Sequence, residues 1–227
     1  MCGRFVRVSQ FAVIKEAFEV EHVAGEDFPS YNIAPGQKVA AVFQKQGQRR
    51  LQHLHWGLVP FWAKAPAIGR KMINARSETI AAKPAFRQAF LKRRCLIPAD
   101  GYYEWQGPKG NKQPHYLYTH HLMAFAGLWE TWADQSRPEN EAYHSCTIIT
   151  AAASPSVREI HHRMPVILKP QQYQAWLAPD TVAPESLLAI IKEGCIQDLQ
   201  SHPVSKWVNA AAHNDARCIE PVMNHKP

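Results

Sequence analysis

Cys2 stands immediately after the initiator Met1. Cysteine is small, so Met1 is expected to be trimmed, leaving an α-amine and a thiol on one residue. An α-amino group titrates near ~8 and a lysine amine near ~10.4, so far more of the former is a neutral nucleophile at pH 7. A thiol, with pKa ~8.5, sits two bonds further along. Together they form a 1,2-aminothiol. Such a group attacks an aldehyde through nitrogen, gives a Schiff base, and closes through sulfur to a five-membered thiazolidine. The plainer alternative is an early cysteine beside a core strand.

Other residues suit proton transfer and anion binding. Glu104 lies between Tyr103 and Trp105, and a carboxyl in aromatic surroundings has its pKa raised toward the range useful for general acid–base work. Asn74, Arg76 and Glu78 share one face if their segment is extended. Arg76 could then fork onto a phosphate with Glu78 holding the fork, while Asn74 offers both a donor and an acceptor. The competing reading is a surface strand with an ordinary ion pair. His161 and His162 follow a short helix expected to open at Ser154-Pro155. A helix C-terminus favours the charged imidazole, which would make either histidine a proton donor or shuttle. Asn32 and the amides of the Pro35-Gly36 turn could line a site or simply make a turn. His53 and His55 share a strand face, but no third ligand of metal-site spacing follows, so no metal is expected.

The net charge is +7, and it is unevenly placed. The stretch from Lys38 to Arg94 holds 13 of the 26 Lys+Arg and only one of the 19 acids, Glu78. Interleaved with Trp56, Phe61, Trp62 and Phe86, this block reads as a polyanion track with stacking platforms, although a charge run is also simply a solvated face. The five cysteines, Cys2, Cys95, Cys146, Cys195 and Cys218, are widely spaced without a C-x-x-C pair. That disfavours a disulfide framework or cysteine zinc site and favours a reducing cytosol. No apolar run reaches the ~18 residues of a membrane span, and neither a signal peptide nor a phosphate-cradling Gly-rich loop is evident.

The elements that must position these groups mix helices with hairpin-style strand pairs. That pattern predicts a single α+β domain over residues 1–227. Helices are predicted over 9–20 with Ser9 as N-cap, 84–93, 170–177 and 184–193. Strands are predicted over 39–43, 51–56, 115–118, 122–128, 143–150 and 164–168, with Gln46-Gly47-Gln48 and 106–114 as hairpin connections. Residues 95–105 read as two strands joined by an Asp100-Gly101 turn. The stretch 56–62 reads as an aromatic-presenting loop, 132–142 as a mobile acidic loop, 202–205 as an ordered turn, and the tail after Asp215 as poorly patterned.

Nine blocks in order resemble the SRAP family, the abasic-site processing proteins also called SOS response-associated peptidases. They are Met-Cys-Gly-Arg (1–4), Tyr-Asn-Ile-Ala-Pro (31–35), Trp-Gly-Leu-Val-Pro-Phe-Trp (56–62), Asn-Ala-Arg-Ser-Glu-Thr (74–79) and Cys-Leu-Ile-Pro-Ala-Asp-Gly-Tyr-Tyr-Glu-Trp (95–105), followed by Ala-Gly-Leu-Trp-Glu (126–130), Thr-Ala-Ala-Ala (150–153), Ile-His-His-Arg-Met-Pro-Val-Ile-Leu (160–168) and His-Pro-Val-Ser (202–205). The resemblance implies a mainly antiparallel, barrel-like β core flanked by helices. It implies that Cys2 cross-links to the ring-opened aldehyde of abasic sites in single-stranded DNA, with AP-lyase chemistry and cross-link reversal as companion activities. Asn74 would orient the amine and the opened sugar, Glu104 would move protons, and His161 rather than His162 would be the catalytic histidine. Gly3, Arg4, Asn32, Pro35, Trp62, Arg76 and Thr150 would hold the flanking DNA. No cofactor, membrane or obligatory protein partner is implied, and the location would be cytoplasmic, at the nucleoid when DNA-bound. The older family name keeps a cysteine (auto)peptidase using Cys2 and His161 as the alternative. The loops at 106–112 and 132–142 match the family poorly.

Overall fold

The computed structural model describes residues 2–134, 142–179 and 183–222. Its strands, in chain order, are β1 (Phe5–Arg7), β2 (His22–Val23), β3 (Ser30–Ile33), β4 (Lys38–Lys45), β5 (Gln48–Trp56), β6 (Asn74–Arg76), β7 (Arg94–Gln106), β8 (Gln113–Trp132), β9 (Tyr143–Ala152), β10 (Arg163–Pro165) and β11 (Gln200–Pro203). The helices are α1 (Phe11–Ala17), α2 (Arg87–Lys92), α3 (Pro155–Arg158), α4 (Tyr173–Leu177) and α5 (Pro184–Glu193). All the strands join one sheet. Five of them close a ring, in which β7 pairs β8, β8 pairs β9, β9 pairs β5, β5 pairs β4, and β4 returns to β7. The β9–β5 seam is parallel, with His55 opposite Ser145, as are β6 on β9 and β2 on β5. The remaining pairings are antiparallel. The chain is therefore a mixed α/β domain with a ring-like sheet rather than a regular barrel.

Alternation along the ring strands sorts their side chains into two cores. Val42, Leu96, Ala126, Leu128 and Ile149 face outward against Ile14 and Phe18 at α1, Phe90 of α2, Trp176 of α4 and Leu187 of α5. Ala41, Leu54, Ile97, Phe125 and Ile148 face inward with Phe5 and Trp56. Trp176 is wholly buried, and its indole N–H donates to the Cys95 carbonyl at 3.0 Å. Truncating such an aromatic to Ala costs about 3–5 kcal/mol.

Several sequence expectations change. Asp100-Gly101 is not a turn. β7 runs through it with a register shift between Ala99 and Gly101. Gly101 is required there because a Cβ would come within 2.2 Å of the Tyr116 ring. The Asp100 carboxylate instead accepts from the Val8 and Ser9 amides, at 2.6 and 2.9 Å, and from the Ser9 hydroxyl. Ser9 is thus committed elsewhere and does not cap α1. Gln10 occupies the N-cap, and Asp27 accepts from the Phe11 amide at 2.8 Å. The two strands expected at 115–118 and 122–128 are one strand, β8, because β7 pairs with it on both sides of residues 119–122, passing them with its own register shift. The helix expected over 84–93 forms only as α2. Residues 202–205 begin within edge strand β11 rather than a turn, and the tail beyond Asp215 contains a 3-10 turn, Ala216–Cys218, that buries Cys218. The loop expected to be mobile falls largely on residues 135–141, outside the described residues. Among the described residues no helix is long and apolar enough to cross a membrane.

Candidate active site

β1 runs antiparallel to β7, with Phe5 opposite Tyr102 and the Tyr103 amide donating to the Arg4 carbonyl at 3.0 Å. The chain ahead of Phe5 therefore advances toward Glu104. Cys2 is wholly buried there, and Glu104 is 2% exposed. Asn74 arrives from another direction. The Ile73 carbonyl accepts the Trp56 indole N–H at 2.9 Å and the Ile148 amide at 3.1 Å, which seats β6 parallel to β9. The Asn74 amide then donates to the Cys2 carbonyl at 2.8 Å.

His161 comes from an excursion between β9 and β10. α3 turns the chain, the His161 amide donates to the Val157 carbonyl at 3.0 Å, and β10 returns alongside β9 with Arg163 opposite Ala152. Gln106, at the end of β7, donates to the Glu159 carbonyl at 3.1 Å and ties the excursion to the strand that carries Glu104. His161 Nε2 lies 4.0 Å from Glu104 Oε2. The Arg163 amide donates to His161 Nδ1 at 2.9 Å. An amide N–H can only donate, so the tautomer that accepts this bond carries its proton on Nε2, toward the carboxyl, while the Arg163 carbonyl, 3.1 Å from Nδ1, suits the other tautomer. His162 stacks on the far side of the ring, with centroids 4.4 Å apart.

Burial governs the protonation states. It raises the Glu104 carboxyl above the ordinary carboxylate range, as the sequence suggested. It lowers His161 to about 4. That reverses the expectation of a charged imidazole. α3 has only four residues, so its dipole is weak beside the cost of desolvating the cation. Burial, and then the charge of Glu104, push the Cys2 thiol far above its usual value. At neutral pH the centre combines a protonated thiol and a neutral imidazole with a carboxyl whose pKa burial raises.

The basic block is more divided than its sequence suggests. Arg94 is buried, donating to the Trp176 carbonyl at 2.7 Å and the Phe90 carbonyl at 2.8 Å. Arg49 is also buried and donates to the Phe18 carbonyl at 2.9 Å, while Arg93 pairs with Glu130 at 2.6 Å. Lys64, Arg70, Lys71, Arg76, Lys83 and Arg87 remain exposed. The aromatic stretch also divides: Trp56 is buried, but Phe61 and Trp62 are 51% and 49% exposed. Clefts open on both sides of them, one against Lys64 and Trp132, the other against Pro84, Arg87 and Leu91.

Glu78 does not hold Arg76. It is gripped by both Nη atoms of Arg163, whose guanidinium also donates to the Thr150 carbonyl at 2.7 Å. Thr150 is wholly buried opposite Arg76. Arg4 donates to Asn32 Oδ1 at 2.8 Å and to the Val208 and Asn209 carbonyls at 3.0 and 3.2 Å. Asn32 in turn donates to the carbonyls of Val208, Ala210 and His213. These two residues bind β1 and β3 to the 208–213 segment. Gly3 is half-buried beside them, and Pro35 is exposed in its turn. His53 lies against the Phe11 and Phe28 rings and His55 stacks on Tyr143. Sequence reasoning overlooked Arg163 and Tyr102. The second had a signal, since it precedes Glu104 by two on one strand and so shares its face.

The family model described as SOS response associated peptidase (SRAP) matches residues 1–211, and the chain belongs to that family. Its curated relatives are named abasic site processing proteins. YoqW of Bacillus subtilis (strain 168) is 41% identical over 226 residues, covering 97% of this chain and 99% of that protein. YedK of Escherichia coli (strain K12) is 31% identical over 231 residues, covering 98% and 100%. HMCES of Gallus gallus is 30% identical over 227 residues, covering 86% of this chain and 66% of that longer protein. Among solved structures, a Bacteroides thetaiotaomicron protein superposes with TM-score 0.77 at 23% identity, covering 98% of this chain and all of that one, which speaks for the fold. A phage-related protein of Bordetella bronchiseptica gives 0.70 at 30% identity, covering 89% and 94%.

Proposed function

We propose that this chain processes abasic sites in single-stranded DNA by covalent capture through Cys2, once Met1 has been removed. The observation that carries the reading is the convergence on Cys2 of Asn74, bonded to its carbonyl at 2.8 Å, and of a Glu104–His161 pair 4.0 Å apart. The freed amine attacks the ring-opened sugar's aldehyde carbon and gives a carbinolamine. The Glu104 carboxyl gives its proton to the departing hydroxyl, water leaves, and an iminium forms. The Cys2 sulfur then adds to that carbon and closes the thiazolidine. Neutral His161, in the tautomer with its Nε2 proton toward Glu104, relays protons between the carboxyl and solvent. Running the proton transfers backwards would release the sugar, and proton loss next to the iminium would open the lyase route.

The exposed cations and Trp62 supply the DNA-holding surface. A missing base leaves a gap that costs less to expose than flipping an intact nucleotide, and aromatic stacking on a neighbouring base contributes ~1–3 kcal/mol. Arg76 on β6 and Arg163 on β10 each stand on a strand paired with β9, which carries Thr150, and there a backbone phosphate could compete with Glu78 for the Arg163 fork. A cysteine peptidase using Cys2 and His161 is the second reading; it too needs a thiolate, which burial opposes. The deciding experiment incubates Met1-free protein with single-stranded DNA carrying one abasic site and resolves the products on a denaturing gel. A shifted band that vanishes with Cys2→Ala is expected. No band with wild type, or an undiminished band with Cys2→Ala, refutes the proposal.

A further inference from the structure

β7 presents consecutive tyrosines to opposite sides. Tyr103 packs with Val6 and Tyr116, and its hydroxyl donates to the Tyr31 carbonyl at 2.7 Å. Tyr102 belongs to the same inner core as Cys2, lies edge-on to the Phe125 ring and is wholly buried. Its hydroxyl has no hydrogen-bond partner among the described residues. A phenol needs a partner as much on one face of a strand as on the other, and leaving one orphaned beside a nucleophile calls for a use. Burial, and then the charges that Cys2 and Glu104 would carry if ionised, oppose ionisation of Tyr102, so the phenol keeps its proton and stays a donor.

The same pocket sets a chemical problem. Thiazolidine closure needs sulfur to act as a thiolate, which burial disfavours. The Asn74 amide is already committed to the Cys2 carbonyl. We propose that Tyr102 is a catalytic hydrogen-bond donor whose hydroxyl supports the Cys2 sulfur as it loses its proton and closes the ring. The inference rests on the covalent-capture reading above. In the step, the thiol proton passes to the Glu104 carboxylate left by the dehydration. The S–C bond forms, and the C=N π pair returns to nitrogen. The aldehyde and the aminothiol become one thiazolidine and one water, and Glu104 recovers its proton.

The test compares Tyr102→Phe and Tyr103→Phe with wild type, all Met1-free, on abasic single-stranded DNA. Aliquots are denatured with and without borohydride. Borohydride fixes the Schiff base, whereas only the closed ring survives heating without it. Tyr102→Phe is expected to slow ring closure about tenfold or more, the scale of a lost hydrogen bond to a charged acceptor, while the borohydride-dependent band accumulates. Its melting temperature should not fall, because the hydroxyl bonds none of the described residues in the resting protein. Tyr103→Phe should melt lower and close the ring at the wild-type rate. Wild-type closure by Tyr102→Phe overturns the inference alone. So does a Tyr102→Phe protein that melts well below wild type and is slowed equally in both steps, because the hydroxyl is then structural. A wild type that forms no cross-link overturns the capture reading and this inference with it.

Discussion

The centre around Cys2 and the rim around Trp62 are built on opposite principles. In the centre, Cys2 and Glu104 are at most 2% exposed, and burial drives each titratable group toward its neutral form. On the rim, Phe61 and Trp62 are about half exposed and the cations near them reach solvent. Proton transfer and condensation gain from a dry site, where a carboxyl can hold its proton near neutrality. A polyanion is gathered best by charges that stay hydrated and mobile until it arrives. On the proposed function, the difference makes recognition and chemistry separable, so that each should be open to damage alone.

The sharpest break should come at the centre. Glu104→Gln is expected to reduce the cross-linking rate about 10²–10⁴-fold, the usual worth of a positioned acid–base group. Its affinity for abasic single-stranded DNA, read by fluorescence anisotropy, should be unchanged. If affinity falls in step with rate, the two regions are not separable. Trp62→Ala is the reciprocal case. Loss of ~1–3 kcal/mol of stacking should weaken binding about 5- to 150-fold, with the cross-linking rate at saturating DNA preserved. A milder effect is expected from Lys83→Gln with Arg87→Gln. Each phosphate left without its cation should flatten the dependence of log K on log salt by about 0.7, measurable by titration at several ionic strengths.

The smallest effects should appear in stability against pH. His161 sits at about 4 when folded, below the ~6.5 of an unfolded chain. Between those values the unfolded chain binds the extra proton, so stability rises with pH through that window and is lost on acidification. Glu104 has the opposite sign. Its folded pKa is raised, so its stabilising share is complete below ~4.3 and is lost as pH rises through the folded value. Thermal melts should show His161→Asn flattening the acid-side slope. They should show Glu104→Gln raising the melting temperature at pH 7 and not at pH 4. The opposite signs would mean that the imidazole and the carboxyl form a charged pair.

Much of the fold was legible because local signals agreed with tertiary demands. The helix predicted over 184–193 forms as α5, opened by Pro184 and closed at Gly194. The Gln46-Gly47 hairpin turn forms with both residues at positive φ, 54° and 80°. Illegible elements were those whose partners lie far away in sequence. Asp100-Gly101 carries a strong turn signal, yet pairing with β8 and bonds to Val8 and Ser9 keep it extended. Ser9 looks like a cap, but Gln10 occupies the N-cap of α1 and Asp27 accepts from its first amide. At the site, spacing suggested that Glu78 pairs with Arg76, two residues away. Arg163, 85 residues on, takes it instead.

The sequence by itself determined the candidate nucleophile, the family and the bias of charge toward residues 38–94, because these depend only on residue type and order. It did not determine what surrounds Glu104, because strand alternation turns its neighbours Tyr103 and Trp105 to the opposite face. Only the tertiary structure decided that His161, not His162, faces that carboxyl, and that it does so as a neutral ring. It alone decided which arginines of the basic block are consumed by backbone carbonyls and which of two adjacent tyrosines lies with Cys2. The reason is physical: a side chain's protonation state and partners depend on what surrounds it in space, and here those surroundings come from segments far apart along the chain.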